Sequence, residues 1–340
     1  MGPVVVVTVV NSLRRANRGS DQELKRDCIL EIQQLATISE TNKSRIAAVG
    51  GIKLICSAMG DHIGNVQIQQ CGCGALMHLA RNHEGNQSKI ASAGGINAIV
   101  AAMNSQTTNT EIQQFGCGAL MHLARNQEGN QLAIVTVGGI ATIVVAVNSQ
   151  ATSREVQQYG CGALLNLALN EDSLLSIIGL GGIRFILSAM ENLQNSEIAT
   201  FICSNLMQLA SDQGNRDLIV LNGGVGFIVS VMNNYAVNDN VQLYCCGALM
   251  NMALNGHQRD LVVFDGVIDH ILFAMAKNET NAYIQQYGCG ALMHLAINTN
   301  QRAQIVGQGG IARILAAIEA PEMNEVVQEY CRVALERILS

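Results

Sequence analysis

Tryptophan is absent from this chain of 340 residues, proline occurs only twice, and aromatic residues make up 4% of it. Charge is also scarce. Charged residues are 14% of the total, against roughly 25% in an ordinary soluble domain. With 49% hydrophobic residues, the chain must bury a large core. Lys and Arg number 20 against 26 Asp and Glu, a formal charge of −6. The positive surface that attracts nucleic acid or an anionic membrane is therefore missing, and neither is expected as a main partner. The apolar run Pro3 to Val10 is too short to span a bilayer and has no basic segment ahead of it, so no membrane insertion is expected. Gly2 is not a myristoylation site, because Pro3 follows it and Val6 stands where Ser or Thr is required. With so little proline, helix breaking falls to the 33 glycines.

Eleven cysteines are present, without a CxxC and without a Cys/His cluster at zinc-ligand spacing. An intracellular, cytoplasmic and reducing setting is expected from that usage. No nucleophile elbow, P-loop, HExxH or kinase signature occurs. A non-enzymatic chain without a cofactor or metal is expected.

An internal repeat dominates the sequence. GCGALMHLARN runs from Gly72 to Asn82 and again from Gly116 to Asn126; GCGALLNLALN starts at Gly160 and GCGALMHLAIN at Gly288. Weaker copies are ICSNLMQLASD from Ile202 and CCGALMNMALN from Cys245. The alanine ending each core copy falls at Ala36, Ala80, Ala124, Ala168, Ala210, Ala253 and Ala296, 42 to 44 residues apart, and Leu339 takes the place in the final copy. Each period reads as three helices. The first, as in 86–93 with Asn86 as N-cap, stops at a glycine pair such as Gly94-Gly95. The second shows apolar spacing at Ile96, Ile99 and Met103. The third and longest places Ile112, Gly116, Leu120 and Leu123 on one face. Full units are expected over 42–80, 86–124, 130–168, 173–210, 215–253, 258–296 and 301–339, after a partial unit of two helices at 2–38. Units of this size bury their apolar faces against one another, so the fold class is an all-α solenoid forming a single array over 1–340. The ends carry the most charge, with Arg14, Arg15, Arg18, Lys25 and Arg26 at one and Glu325, Glu329, Arg332, Glu336 and Arg337 at the other. An array needs such polar caps to stay soluble.

The pattern I..GGI..I..AM followed by VQ..GC.AL.NLA.N resembles the armadillo repeat over almost the whole chain, nearest to the glycine-rich arrays of vacuolar-protein-8-like and protist scaffold proteins. The resemblance implies a right-handed superhelix whose third helices line a concave groove that holds an extended peptide.

At about 100° per residue, Ile68, Gly72, Ala75, Leu76 and Leu79 share the core face of their third helix. Gly74, His78 and Arg81 fall opposite. Three columns recur in every period. The first is polar: His78, His122, Asn166, Gln208, Asn251 and His294, flanked by Gln34 and Arg337. Armadillo peptide binders carry Asn at the matching place, and the resemblance implies contact with a bound backbone. Side chains of these types hold both donors and acceptors. The second column is Gly74, Gly118, Gly162, Ser204, Gly247 and Gly290. Armadillo karyopherins place Trp there, so this Trp-free chain departs from the basic import-signal mode. These glycines face outward on the wheel, which fits either a close-lying ligand backbone or tight superhelix curvature. The third column is aromatic: Phe115, Tyr159, Phe201, Tyr244, Tyr287 and Tyr330, with Cys71 as the exception. It is open to two readings, packing between adjacent third helices or walls of the groove.

Arg81 and Arg125, replaced later by Leu169, Leu254 and Ile297, point to a partner with acidic or polar residues at one end and apolar anchors at the other. Asn82, Asn126, Asn170, Asn255 and Asn298 fit left-handed C-terminal caps. Cys73, Cys117, Cys161, Cys203, Cys246 and Cys289 form a ladder that reads as core. Packed helices lie roughly 8–10 Å apart and a disulfide needs Cα atoms within about 7 Å, so bridging between repeats is not expected. The reading reached is a protein-binding scaffold. Self-association, or a small ligand or metal held in the glycine recess, are the alternatives.

Overall fold

The computed structural model describes residues 3–193, 195–254, 266–320 and 323–340. Among them are 22 α-helices and no strand, an all-α solenoid. The chain forms two compact units, Met1–Leu167 and Ala168–Ser340.

The first unit opens with the helix pair Pro3–Ala16 and Gln22–Ile38 and continues in triplets. The second triplet, Glu84–Ser92, Gly95–Ser105 and Thr110–Ala124, is representative. In the second unit, Gln213–Leu221, Gly224–Asn234 and Asp239–Met252 repeat the plan. Asn255 and the first helix expected from residue 258 lie outside the described residues. Elsewhere each first helix starts two residues ahead of its expected boundary. Asn86 is therefore not an N-cap. His83 caps the helix, its Nδ1 accepting from the Asn86 N–H at 3.2 Å, while the buried Asn86 side chain donates to Leu79 O at 3.0 Å.

The glycine pair bends the chain for two separate reasons. Gly94 has φ +75°, a conformation that excludes most side chains. Gly95 begins the second helix, where a Cβ would lie 2.5 Å from Ile90 Cγ2 and 2.8 Å from Ile90 O. Most third helices begin at an Asn whose side chain accepts from the backbone N–H three residues on, as Asn65 does from Ile68 at 3.1 Å and Asn109 from Ile112 at 3.0 Å. Such a cap contributes about 1 kcal/mol relative to Ala. A further buried clamp ties the second helix to the third. Gln69 Nε2 donates to both Met59 O and His62 O at 2.8 Å, and Gln113, Gln157, Gln242 and Gln285 do the same in their own repeats. One carbonyl of each pair lies in the last turn of the second helix, where intrahelical donors run out; the other also accepts from the backbone N–H of the next N-cap residue, as His62 O does from Asn65 at 2.9 Å.

The two glycine columns serve two different helix contacts. A Cβ on Gly72 or Gly116 would come within 2.5 Å of Met59 or Met103, in the second helix of the same repeat. The Gly74 column does not face outward, as the wheel implied. It meets the third helix of the preceding repeat: Gln33 against Gly74 at 2.6 Å, Met77 against Gly118, Met121 against Gly162 at 2.7 Å, Met207 against Gly247 and Met250 against Gly290 at 2.5 Å. These glycines are buried or half-buried because a knob fills the space above each, glutamine at Gly74 and methionine at the others. A single helical wheel misses this because the covering atoms belong to the preceding repeat.

The same close approach overturns the expectation about disulfides. Cys289 and Cys331 form one, with Cα atoms 5.1 Å apart. The ladder cysteine of each repeat faces the Gly72-equivalent position of the following one, as Cys117 Sγ does at 3.6 Å from a Cβ built on Gly160. Where that position is itself Cys, two sulfurs meet: Cys289 with Cys331, and Cys203 with Cys245 at 3.5 Å. The other nine cysteines are free and buried.

Gly118→Val is expected to destabilise the chain by about 1–3 kcal/mol through overpacking. Adding Met77→Ala should recover part of that loss, as a double-mutant cycle by urea denaturation would read; an identical cost in both backgrounds would argue against the knob. Unfolded without reductant, the protein is expected to titrate nine of its eleven thiols. A count of eleven would show Cys289 and Cys331 unlinked.

Candidate protein-interaction face

The polar column lies near the C-terminal end of each third helix, where the last turn leaves carbonyls without an intrahelical donor. Asn166 and Asn251 use their amides there. Asn166 Nδ2 donates to Met121 O at 3.0 Å and Asn251 Nδ2 to Met207 O at 2.8 Å, each in the preceding repeat. Arg337 does likewise to Met293 O at 3.3 Å. These side chains are half-buried clasps between third helices, with Oδ1 and one N–H of each Asn left over. Gln208 is exposed and donates to Glu171 at 3.3 Å. Gln34 is exposed and His294 half-buried.

His78 and His122 differ from the asparagines. Both are half-buried. The carbonyl that matches Met121 O for His122 is Met77 O, which accepts from the Arg81 N–H at 3.1 Å, and neither imidazole has a hydrogen-bond partner among the described residues. Burial lowers the pKa of both. His122 falls to about 4, by desolvation first and then by the positive charges of Arg81, Arg125 and Lys43 and by His78. His78 is lowered by desolvation and then by Arg81 and Lys43. At neutral pH each imidazole is therefore uncharged and offers one donor and one acceptor.

Arg81 and Arg125 end their third helices in matching conformations, φ −60° ψ 115° and φ −70° ψ 115°. Asn82 and Asn126 follow with φ 55° and 56°, as left-handed capping residues. Asn170 and Asn298 depart from that expectation. Each is instead the N-cap of the next helix, accepting from Ser173 and from Asn300. The Arg-Asn loop is thus particular to these two repeats. The buried Lys43 pins the first loop, donating to Arg81 O at 2.8 Å and pairing with Glu40 at 2.6 Å. Both guanidinium groups are exposed, and neither forms a hydrogen bond or ion pair among the described residues.

The glycines at 74, 118, 162, 247 and 290 are covered as described, so no recess remains there for a small ligand. Phe115, Tyr159, Tyr244 and Tyr287 are half-buried, while Phe201 is 51% exposed. Tyr159, Tyr287 and Tyr330 lie 3.3–3.5 Å from Cβ positions built on Gly118, Gly247 and Gly290. The column packs between neighbouring third helices, and burial raises the Tyr287 hydroxyl pKa, helped by Tyr283, Tyr244 and Tyr330. Among the described residues, no three His, Cys, Asp or Glu side chains gather as a metal-binding group. Burial pushes the thiols of Cys73 and Cys246 up to about 12, so they are neutral at pH 7.

The Gln69-type clamps and the Lys43 anchor were not recognised from sequence. A glutamine three residues ahead of the Gly72-equivalent position in six repeats is the available signal for the clamps, which five of the six form. His122 binds fewer protons folded than unfolded between its ordinary value near 6.5 and its folded value near 4. Its contribution to stability is therefore full above about pH 6.5 and declines as the pH falls through that window. Urea midpoints are expected to drop from pH 7 to pH 4, less steeply in His122→Gln; equal slopes would contradict the assignment.

No curated protein matches the chain. Two engineered proteins with crystal structures from the Northeast Structural Genomics Consortium are similar to it. One is 19% identical with a TM-score of 0.47, covering 100% of both chains; the other is 18% identical with a TM-score of 0.44, covering 100% of this chain and 97% of its own. No single helix among the described residues is long and apolar enough to cross a membrane. A family model described as the LRRK2 ARM repeat matches residues 135–338, more than half of the sequence, and with helix triplets of the armadillo kind on both sides of that segment's start, the chain belongs to the LRRK2 ARM repeat family.

Proposed function

We propose that this chain is a non-enzymatic protein-interaction scaffold, and that the third helices Val66–Ala80, Thr110–Ala124 and Arg154–Leu167 hold an extended peptide segment of a partner. The observation that carries the reading is an imbalance in hydrogen bonding. Several polar side chains around these helices are spent inside the protein: Gln69 and Gln113 on second-helix carbonyls, Asn86 and Asn130 on third-helix carbonyls, Asn166 on Met121 O. His78, Arg81, His122 and Arg125 are not spent. Buried or half-buried donors without partners are costly, and a peptide backbone supplies both missing acceptors and missing donors.

The second unit offers a different surface on its own third helices. Gln208, Asn251 and His294 keep the polar column, and Phe201, Leu254 and Ile297 are 51%, 42% and 47% exposed. Apolar anchors fit this stretch better than charged ones. The Met-filled glycine column removes the ground for a small-molecule or metal site in that recess.

Selection from a displayed library of random 12-residue peptides tests the proposal. Enriched sequences are expected with the native protein, with affinity lowered about tenfold or more by His78→Ala and His122→Ala together, the loss of two polar contacts of roughly 1 kcal/mol each. Failure to enrich any sequence, or binding indifferent to both substitutions, would defeat the reading. Retained helicity and an unchanged urea midpoint at pH 7 would confirm that the double variant is folded.

A further inference from the structure

Resting on the peptide-binding reading, we infer that the segment bound by the first unit is acidic, and that two of its anionic side chains, spaced i and i+2, pair with Arg81 and Arg125. The two guanidinium groups occupy equivalent positions in adjacent repeats, each at the C-cap of a third helix and each followed by a left-handed asparagine. Identical loop geometry points the two side chains alike, side by side rather than scattered.

No ion pair among the described residues neutralises them. Lys43, the nearest further cation, already has Glu40 at 2.6 Å. Glu84 and Glu128 stand three residues beyond the arginines and form no ion pair with them. Each opens the helix that follows, where a carboxylate is held by the unpaired N–H groups of the first turn. The groups that shift His122 are all cationic or neutral bases, Arg81, Arg125, Lys43 and His78, with no carboxylate among them. Two exposed arginines beside two unpartnered imidazoles make a local cationic patch on a chain whose formal charge is −6. Arginine forks match carboxylate and phosphate groups in two parallel hydrogen bonds.

The spacing follows from chain geometry. Adjacent packed helices lie about 8–10 Å apart. An extended chain advances about 3.3 Å per residue, and residues i and i+2 share one face about 7 Å apart. The long arginine stems span the difference. Consecutive acids would point to opposite sides, so alternation is the pattern that engages both.

Fluorescence anisotropy with three labelled 12-residue peptides decides the matter: one carrying Glu-Ala-Glu at its centre, one with phosphoserine in place of both glutamates, and one with Gln-Ala-Gln. Native protein is expected to bind the first two at least about tenfold more tightly than the third, since each hydrogen bond to a charged group contributes at least that factor. The advantage should shrink as salt rises and vanish in Arg81→Gln, Arg125→Gln, whose exposed side chains leave helicity unchanged. Tighter binding of the phosphoserine peptide alone would identify phosphate as the anion, and equal binding of both would identify charge itself. Equal affinity for the Gln peptide, or an advantage that survives the double substitution, overturns the acidic pairing while leaving peptide binding in place. Absence of binding by all three overturns the pairing as well, and the library selection separately decides the broader reading.

Discussion

Close approach between neighbouring third helices is the constraint on which the rest of this structure depends. Methionine from one repeat enters the space above a glycine of the next, as Met77 does at Gly118 and Met250 at Gly290. A glycine inside a helix is unfavourable by roughly 0.5–1 kcal/mol relative to Ala. Here the flexible thioether fills the gap with many small dispersion contacts. The aromatic residue of the following repeat closes the other side, as Tyr159 does over Gly118. Glycine, methionine and one ring thus make a contact that recurs along each unit, and the scarcity of charge in the sequence follows from it.

That closeness has chemical consequences. It brings Cys289 and Cys331 to a Cα separation of 5.1 Å, which axes roughly 8–10 Å apart allow because each facing Cα lies about 2.3 Å off its axis. It also brings asparagine side chains within reach of the preceding helix's terminal carbonyls. Most third helices are therefore capped at the start by their own asparagine and, in two repeats, at the end by the asparagine of the successor. Buried amides in such an array spend their donors internally, while the side-chain oxygens of Gln69, Asn86 and Gln87 have no partner.

Function is then read from what is left over. Repeats with asparagine in the polar column spend it on the scaffold, whereas the repeats of His78 and His122 do not. Those same two repeats end in Arg-Asn rather than in Leu-Asn or Ile-Asn. The proposed site is thus the place where the repeat departs from its own consensus. Departure marks it better than membership of a column, because a residue repeated in every period is first accounted for by the contact between periods.

The sequence by itself determined the helix triplets, the glycine-ended first helices, the apolar face of each third helix and the armadillo character. All of these arise from short-range spacing and from a period that can be counted. It also singled out His78, His122, Arg81 and Arg125, the residues on which the proposal rests. Only the tertiary structure decided that Gly74 and Gly118 are covered, that Asn166 and Asn251 are clasps, that the tyrosines pack between helices, and that two cysteines 42 residues apart are bonded. The physical reason is common to all four. Each depends on atoms one full repeat away, and a helical wheel drawn for one helix carries no information about how near its neighbour comes.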